Sequence, residues 1–312
     1  MRIAVLSHPG SWYLKDISRA ASERGHDCVP IRFGQLVATI ATAHPHDESL
    51  TDAENGLDHA DAVIVRTMPP GSLEQVVFRM DALSRLEQLG LIVLNSPRAI
   101  ECAVDKYLAT ARLLEAGIPV PATVVCECSE LALEAFEALG GDVVVKPIFG
   151  SEGRGIVRVS DPELARRTFR TLEQLDAVLY LQAFIDHGGY DDRVLLLDGE
   201  VLGGMRRRSG EDFRTNISQH GLAEPYSPTD EDIQLARDAA AATGTCLAGI
   251  DLIRGSDGRR MVLEVNAVPG WRALAQVNSI DVAGRLVDWL ESHTGPLRQT
   301  SKPLHPRRSI PS

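Results

Sequence analysis

The chain reads as an α/β protein of two or three lobes, the first an open parallel sheet and the later ones mixed α+β. Three observations predict this. Strand-like and helix-like segments alternate over residues 1 to 95. An apolar run ending in Lys146 meets a second apolar run across a glycine-rich loop, and GIDLIR (249–254) and RMVLEVN (260–266) flank the turn-forming GSDGR. A length of 312 residues with 44% hydrophobic composition supports two or three modest lobes with real cores.

In chain order, RIAVLS, SWYLKDISRAASERG, HDCVPI, ADAVIVR and LIVLN predict a small open parallel sheet, and residues 1–96 are taken as the first lobe. No G-x-G-x-x-G follows the first strand, so no dinucleotide is assigned there. The second lobe, 97–183, opens with SPRAIECAVDKYLATARLLEAGIP. This predicts an amphipathic helical stretch that stops at Gly117 with Pro119 beyond, and Lys106 on or just before a helix. VVVKPIFGSEGRGIVRV (143–159) predicts strand, flexible loop, strand; the helix PELARRTFRTLEQL and the strand VLYLQAF complete the lobe. In the third lobe, 184–293, RVLLLDGEVLGGMRRR predicts a hairpin through Asp198-Gly199. Pro269-Gly270 makes a turn, Trp271 is expected on an exposed side, and Asp281 opens a final amphipathic helix. Residues 294–312 have few apolar residues and several prolines and are expected to be disordered.

A formal charge of −11 and a pI near 5.3 leave no sustained basic stripe to neutralise phosphates, which argues against a nucleic-acid partner. No apolar run is long enough to span a bilayer, and MRIAVLSHPGS lacks a basic start, so the expected location is cytoplasmic with no membrane partner. The five cysteines (28, 102, 126, 128, 246) form no CxxC pair and read as reduced and structural, Cys126 and Cys128 within one apolar strand. His44 and His46 read as solvated.

Glycines 150, 153 and 155 with Ser151 allow backbone N–H groups to approach a phosphate chain, since no Cβ obstructs them, and Lys146 brings a compact positive charge to it. No Gly-Lys-Ser/Thr follows and a strand comes next, so this is not a Walker loop. Downstream, centring the hairpin turn between Ser256 and Arg259 sets Asp251 opposite Glu264, with Asn266 on the same face by alternation. Like charges facing each other on paired strands destabilise a fold unless a cation joins them. Two carboxylates and an amide oxygen suit magnesium shared with phosphate oxygens. Arg193 and Arg206 are expected to meet across the Asp198-Gly199 hairpin and to hold carboxylate or phosphate oxygens. Of Arg207 and Arg208, at least one must point away.

In this order, AVDKYLATARLLEAGIPVPAT, VVVKPIFGSEGRGI, LYLQAFI, YDDRVLLLDGEVLGGMRRRSGEDFRTNISQHG and AGIDLIR with LEVNAVPGW resemble the ATP-grasp superfamily, specifically its RimK-type α-L-glutamate ligases. The likeness runs from about Ile3 to about Glu291, with the motifs between Lys106 and Trp271. It implies an ATP-grasp fold whose N-terminal lobe forms one wall of a cleft, and an ATP-dependent ligase. That enzyme would join L-glutamate to an acceptor carboxylate through an acyl phosphate, using ATP and two Mg2+ or Mn2+ ions. By the same resemblance Lys106 joins Lys146 at the phosphates, and Gln182, Ala183 and Phe184 form the hinge that holds adenine through backbone groups, with Ala183 where the family commonly has glutamate. Asp191 lies near the ribose, neighbouring Asp192 leaving the register open, and Arg214, Thr215 and Asn216 contact acceptor and phosphate. NAVPGW resembles the branch that glutamylates a small tetrahydromethanopterin-type pterin, with Trp271 either stacking on the ligand's ring or packing against the final helix. A ribosomal or carrier protein C-terminus, an ATP-grasp kinase and a nucleotide binder without turnover stay open. The resemblance leaves room for a homo-oligomer.

Overall fold

The computed structural model describes residues 1–40, 48–52, 57–150, 153–209 and 222–294. The chain separates into two compact units, one built from residues 1–97 with the final helix and the other from residues 98–280.

The first unit runs β1 (Arg2–Leu6), α1 (Trp12–Glu23), β2 (Asp27–Ile31), β3 (Leu36–Ile40), β4 (Glu48–Asp52), β5 (Ala62–Val65), α2 (Leu73–Gln88) and β6 (Ile92–Leu94). Its sheet has the order β2-β1-β5-β6 with every pairing parallel, the open sheet that the alternation predicts. Ile3 to Leu6 and Ala62 to Val65 are buried at every position. A strand covered on both faces needs such a continuous apolar run. The β3–β4 antiparallel pair and α2 are elements the sequence reading did not name.

The second unit begins with α3 (Pro97–Val104) and α4 (Lys106–Glu115), where sequence periodicity predicts one stretch. The break falls at Asp105, whose carboxylate accepts from the Leu108 N–H at 3.0 Å and caps α4, so Lys106 is the first residue of a helix. Then follow β7 (Thr123–Cys126), α5 (Ser129–Ala138), β8 (Val143–Lys146), β9 (Val157–Val159), α6 (Pro162–Gln174) and β10 (Leu179–Ala183). They form an antiparallel sheet of order β7-β10-β8-β9. Val143, Val145, Leu179 and Leu181 turn to one face and pack with Phe136 and Phe169 from α5 and α6. Strand alternation therefore sends Lys146, Tyr180 and Gln182 to the other face. Cys126 ends β7, but Cys128 lies beyond the strand as the N-cap of α5; none of the five cysteines is joined in a disulfide.

A second antiparallel sheet, order β13-β12-β11-β14-β15, comprises β11 (Tyr190–Leu197), β12 (Glu200–Arg208), β13 (Leu222–Tyr226), β14 (Leu247–Arg254) and β15 (Arg260–Asn266). It is joined by α7 (Asp230–Thr243) and α8 (Arg272–Asn278). The expected hairpin turn forms at Asp198 and Gly199, both with positive φ (51° and 75°), which the right-handed twist of paired strands favours. Trp271, expected on an exposed side, is completely buried at the start of α8. This corrects the sequence reading: an indole inside the core cannot stack on a ligand.

The final helix, α9 (Val282–His293), opens at Asp281, which accepts from the Gly284 N–H at 2.9 Å. The sequence reading assigns it to the third lobe, whereas in the structure it belongs to the first unit. Leu286, Val287 and Leu290 are buried, and Arg19 and Arg24 of α1 reach Asp281 and Asp288 at 2.7 and 2.6 Å. No helix among the described residues is long and apolar enough to cross a membrane.

Candidate active site

A cleft opens within the second unit, lined from one side by Lys106, the end of β8, the glycine loop and the end of β10, and from the other by β11, β12, β14 and β15. Lys146 ends β8 and is buried; its Nζ donates to Gln182 Oε1 at 2.6 Å. Burial pushes its ammonium down to about 8, Glu264 pulling the other way and neighbouring Lys106 adding to the depression. Lys106 is lowered too, by burial first and against the attraction of Glu264 and Asp105; its Nζ donates to the Gly150 carbonyl at 3.0 Å. Two lysines from different elements thus face one space, each hydrogen-bonded to a neutral oxygen.

Gly150, Gly153 and Gly155 adopt φ of 146°, 71° and 72°, conformations that side chains rarely tolerate. Gly150 and Gly153 line the cleft, whereas Gly155 packs beside Pro147, where an added Cβ would lie 3.0 Å from Cγ. Ser151 lies outside the described residues, as do Arg214, Thr215 and Asn216 and the histidines at 44 and 46. Gly155→Ala is expected to raise the KM for ATP severalfold by displacing the loop, since a left-handed alanine costs roughly 1–2 kcal/mol. Gly244→Ala, at a similar φ of 69° but in open space, should leave that KM unchanged; steady-state kinetics on the pair separates the two.

Gln182, Ala183 and Phe184 all line the cleft. The Ala183 N–H donates to the Ala122 carbonyl at 2.8 Å and the Phe184 N–H to the Asp142 carbonyl at 3.0 Å, so neither amide is available to a ligand in this arrangement. Ile185, which the sequence reading did not single out, continues the wall; with Val144, Ile156 and Leu263 it provides flat apolar surface.

The pairing of β14 with β15 sets Asp251 directly opposite Glu264, and Gly249 opposite Asn266. The route to that register differs from the expectation. Arg254 pairs with Arg260 and Leu252 with Val262, so an unbroken ladder would place Leu263 opposite Asp251; a bulge between Asp251 and Leu252 inserts the extra residue and restores Glu264. Asn266 donates its amide nitrogen to the Gly249 carbonyl at 3.2 Å, so the oxygen is the atom its side chain could offer a cation. Among the described residues no group of three His, Cys, Asp or Glu gathers. Asp251, Glu264 and Asn266 are hard oxygen donors on one sheet face, too few to fill a cation's shell. They therefore fit Mg2+ or Mn2+ completed by phosphate oxygens and water.

The arginines require a correction. A bulge between Leu195 and Leu196 shifts β12 by one, so Arg193 lies opposite Met205, and Arg206 lies opposite Asp192 on the other face. There Arg206 binds Asp192 at 2.7 Å and covers the rings of Tyr190 and Tyr226, while Arg260 bridges Asp192 and Asp232 at 2.7 and 2.6 Å. Arg206 and Arg193 do not meet. The guanidinium that enters the cleft is that of Arg207: its Nε donates to Asp191 Oδ1 at 2.7 Å, its Nη2 to Asp191 Oδ2, and Nη2 lies 2.8 Å from Asp251 Oδ2. Arg193 Nε and Nη2 hold Asp251 Oδ1 and Oδ2 at 2.6 and 2.7 Å. Burial alone would raise the Asp251 carboxyl, but Arg193 and Arg207 outweigh it and bring it down to about 2. Asp191 faces the cleft and Asp192 faces away. Alternation along Arg206-Arg207-Arg208 was the available signal for Arg207, but it did not say which of the three turns inward.

This fold and cleft define an ATP-grasp protein, and the chain belongs to the RimK-like ATP-grasp family of ligases. The RimK-like ATP-grasp domain matches residues 103–290 and the RimK PreATP-grasp domain residues 1–100. Among its relatives, the tetrahydromethanopterin:alpha-L-glutamate ligase of Methanosarcina acetivorans is 32% identical over 318 residues, covering 92% of this chain and 97% of that protein. The ribosomal protein bS6–L-glutamate ligase of Escherichia coli is 31% identical over 297 residues, covering 94% and 96%. Of solved structures, the ATP-grasp ligase PsnB with minimal precursor, Mg and ADP superposes with a TM-score of 0.74 at 23% identity, over 94% of this chain and 97% of that one. The RimK-domain ATP-grasp protein of Sphaerobacter thermophilus gives 0.70 at 22%, over 93% and 99%.

Proposed function

We propose that the protein adds L-glutamate to an acceptor carboxylate in an ATP-dependent carboxylate–amine ligation. The observation that carries this reading is the convergence, in one cleft, of Lys106, Lys146 and the glycine loop with the opposed pair Asp251 and Glu264. Lys106, Lys146 and the loop bind the polyphosphate, Gln182 to Ile185 border the adenine, and Asp191 lies near the ribose. Asp251, Glu264 and Asn266 hold Mg2+ or Mn2+, which neutralises the polyphosphate when bound. The acceptor carboxylate attacks the γ-phosphorus, ADP leaves, and the glutamate amino group then displaces phosphate from the acyl phosphate to form the amide. Arg193 on the same sheet face, together with Arg214, Thr215 and Asn216, stabilises the charge that develops on the phosphoryl and acyl oxygens. Such a reaction depends on alignment and charge neutralisation and uses no protein nucleophile.

For the acceptor we take a small carboxylate of the tetrahydromethanopterin type, supported by the M. acetivorans relative across nearly the whole chain. Buried Trp271 withdraws the ring-stacking argument for that choice. A protein C-terminus is the second reading, supported by the E. coli relative. Magnesium-dependent ADP release with L-glutamate and a panel holding a pterin cofactor and a ribosomal-protein C-terminal peptide, followed by product mass, tests both. A glutamyl increment on one acceptor is expected; ADP release that needs no amino acid would make the protein a kinase instead.

A further inference from the structure

We propose that the cleft takes its divalent cation only together with a nucleotide, and that Arg193 enforces this by occupying the carboxylate the cation needs. The inference rests on the ligase reading of the same site. Both oxygens of Asp251 are engaged: Arg193 donates to each, Arg207 lies 2.8 Å from Oδ2, and Asn266 Nδ2 approaches Oδ2 at 3.5 Å. A cation approaching Asp251 therefore meets two guanidinium groups already seated on its ligand.

The surrounding charge acts in the same direction. Lys106, Lys146 and Arg207 line the cleft and Arg193 borders it, four formal positive charges against the three carboxylates Asp191, Asp251 and Glu264. A cleft of that sign repels a free cation and attracts a polyanion. A bound polyphosphate reverses both conditions. It brings negative charge, and it offers Arg193 an alternative partner, so that the guanidinium can turn from Asp251 to a phosphate oxygen and release carboxylate oxygens.

The two arginines differ in what they can do. Arg207 is tied to Asp191 as well as Asp251 and is 4% exposed; Arg193 holds Asp251 from the margin at 12%. Arg207 is the fixed strut and Arg193 the exchangeable clamp, which acts on the metal site through Asp251 before it turns to the phosphate. Linkage makes the effect reciprocal: whatever factor the nucleotide adds to cation affinity, the cation adds to nucleotide affinity.

Manganese binding to the full chain, followed by the electron paramagnetic resonance of free Mn2+ with and without ADP, tests this without turnover. The wild type is expected to bind Mn2+ in the presence of ADP and not at the same concentration without it. In Arg193→Met, Mn2+ affinity without ADP should rise by about tenfold or more, and the enhancement by ADP should shrink correspondingly. Arg193→Lys keeps the positive charge and should retain most of the wild-type ratio; circular dichroism confirms that both variants are folded. Equal Mn2+ binding with and without ADP in the wild type overturns the proposal. So does an Arg193→Met variant with the wild-type ratio, or an Arg193→Lys variant that behaves as Arg193→Met. Failure of ADP to bind under any condition would sink the ligase reading as well, whereas ADP binding unlinked from Mn2+ sinks this inference alone.

Discussion

Arg207→Met is expected to lower the unfolding free energy by about 3–5 kcal/mol, the usual cost of removing one partner from a buried ion pair. Asp191 and Asp251 are each 2% exposed, and Arg207 lies between them. Burial works against the Arg207 charge, yet Asp251 and Asp191 outweigh it and hold the guanidinium above its ordinary value. Methionine fills similar space but leaves Asp191 without its forked partner and brings two like charges together without a cation between them. Arg193→Met should cost less, because Arg207 still holds Asp251 and the lost side chain is nearer solvent. Urea unfolding of the two variants decides the matter: a loss below about 1 kcal/mol in Arg207→Met would mean that the alternating ladder across β11, β12 and β14 does not hold the cleft together.

Lys146→Met is expected to have opposite effects on activity and stability. On the proposed reading, in which Lys146 binds the polyphosphate, its removal should lower kcat by about 10²–10³. The same change should stabilise the free protein near neutral pH. In the fold the Lys146 ammonium lies at about 8 instead of 10.5, so the folded state binds fewer protons than the unfolded chain between those values and stability rises with pH across that window. Below pH 8 the full penalty is present, roughly 3 kcal/mol from a shift of this size, partly offset by the hydrogen bond to Gln182 that the variant also loses. The variant is therefore expected to melt higher at pH 7, with its advantage fading as pH approaches 10.5. Thermal melts at pH 7 and pH 10, beside single-turnover ADP release, check both halves. A variant less stable than wild type at pH 7 would show that the desolvation of Lys146 is already balanced by its neighbours.

Much of the architecture was legible because it follows from local chemistry. Continuous apolar runs marked β1 and β5, Asp198-Gly199 marked a turn that requires positive φ, and the helix read as PELARRTFRTLEQL starts at Pro162, where α6 begins. The opposition of Asp251 and Glu264 was also anticipated, although two departures cancelled: the turn sits closer to β14 than assumed, and the bulge adds back the residue this removes. The Arg193–Arg206 pairing had no such compensation. There the bulge at Leu195/Leu196 left the register one residue from the expected one, which is enough to move Arg206 to the opposite face and bring Arg207 in.

By itself, then, the sequence determined the kinds of element, their order, and the chemical identity of the groups that gather at the cleft, since periodicity, turn residues and residue type are properties of short segments. Only the tertiary structure decided which arginine enters, that Trp271 is enclosed in the core, and that α9 returns to pack on α1. A single inserted residue reverses the face of every residue beyond it, and burial depends on segments far apart in the chain, so neither can be read from the spacing of neighbours.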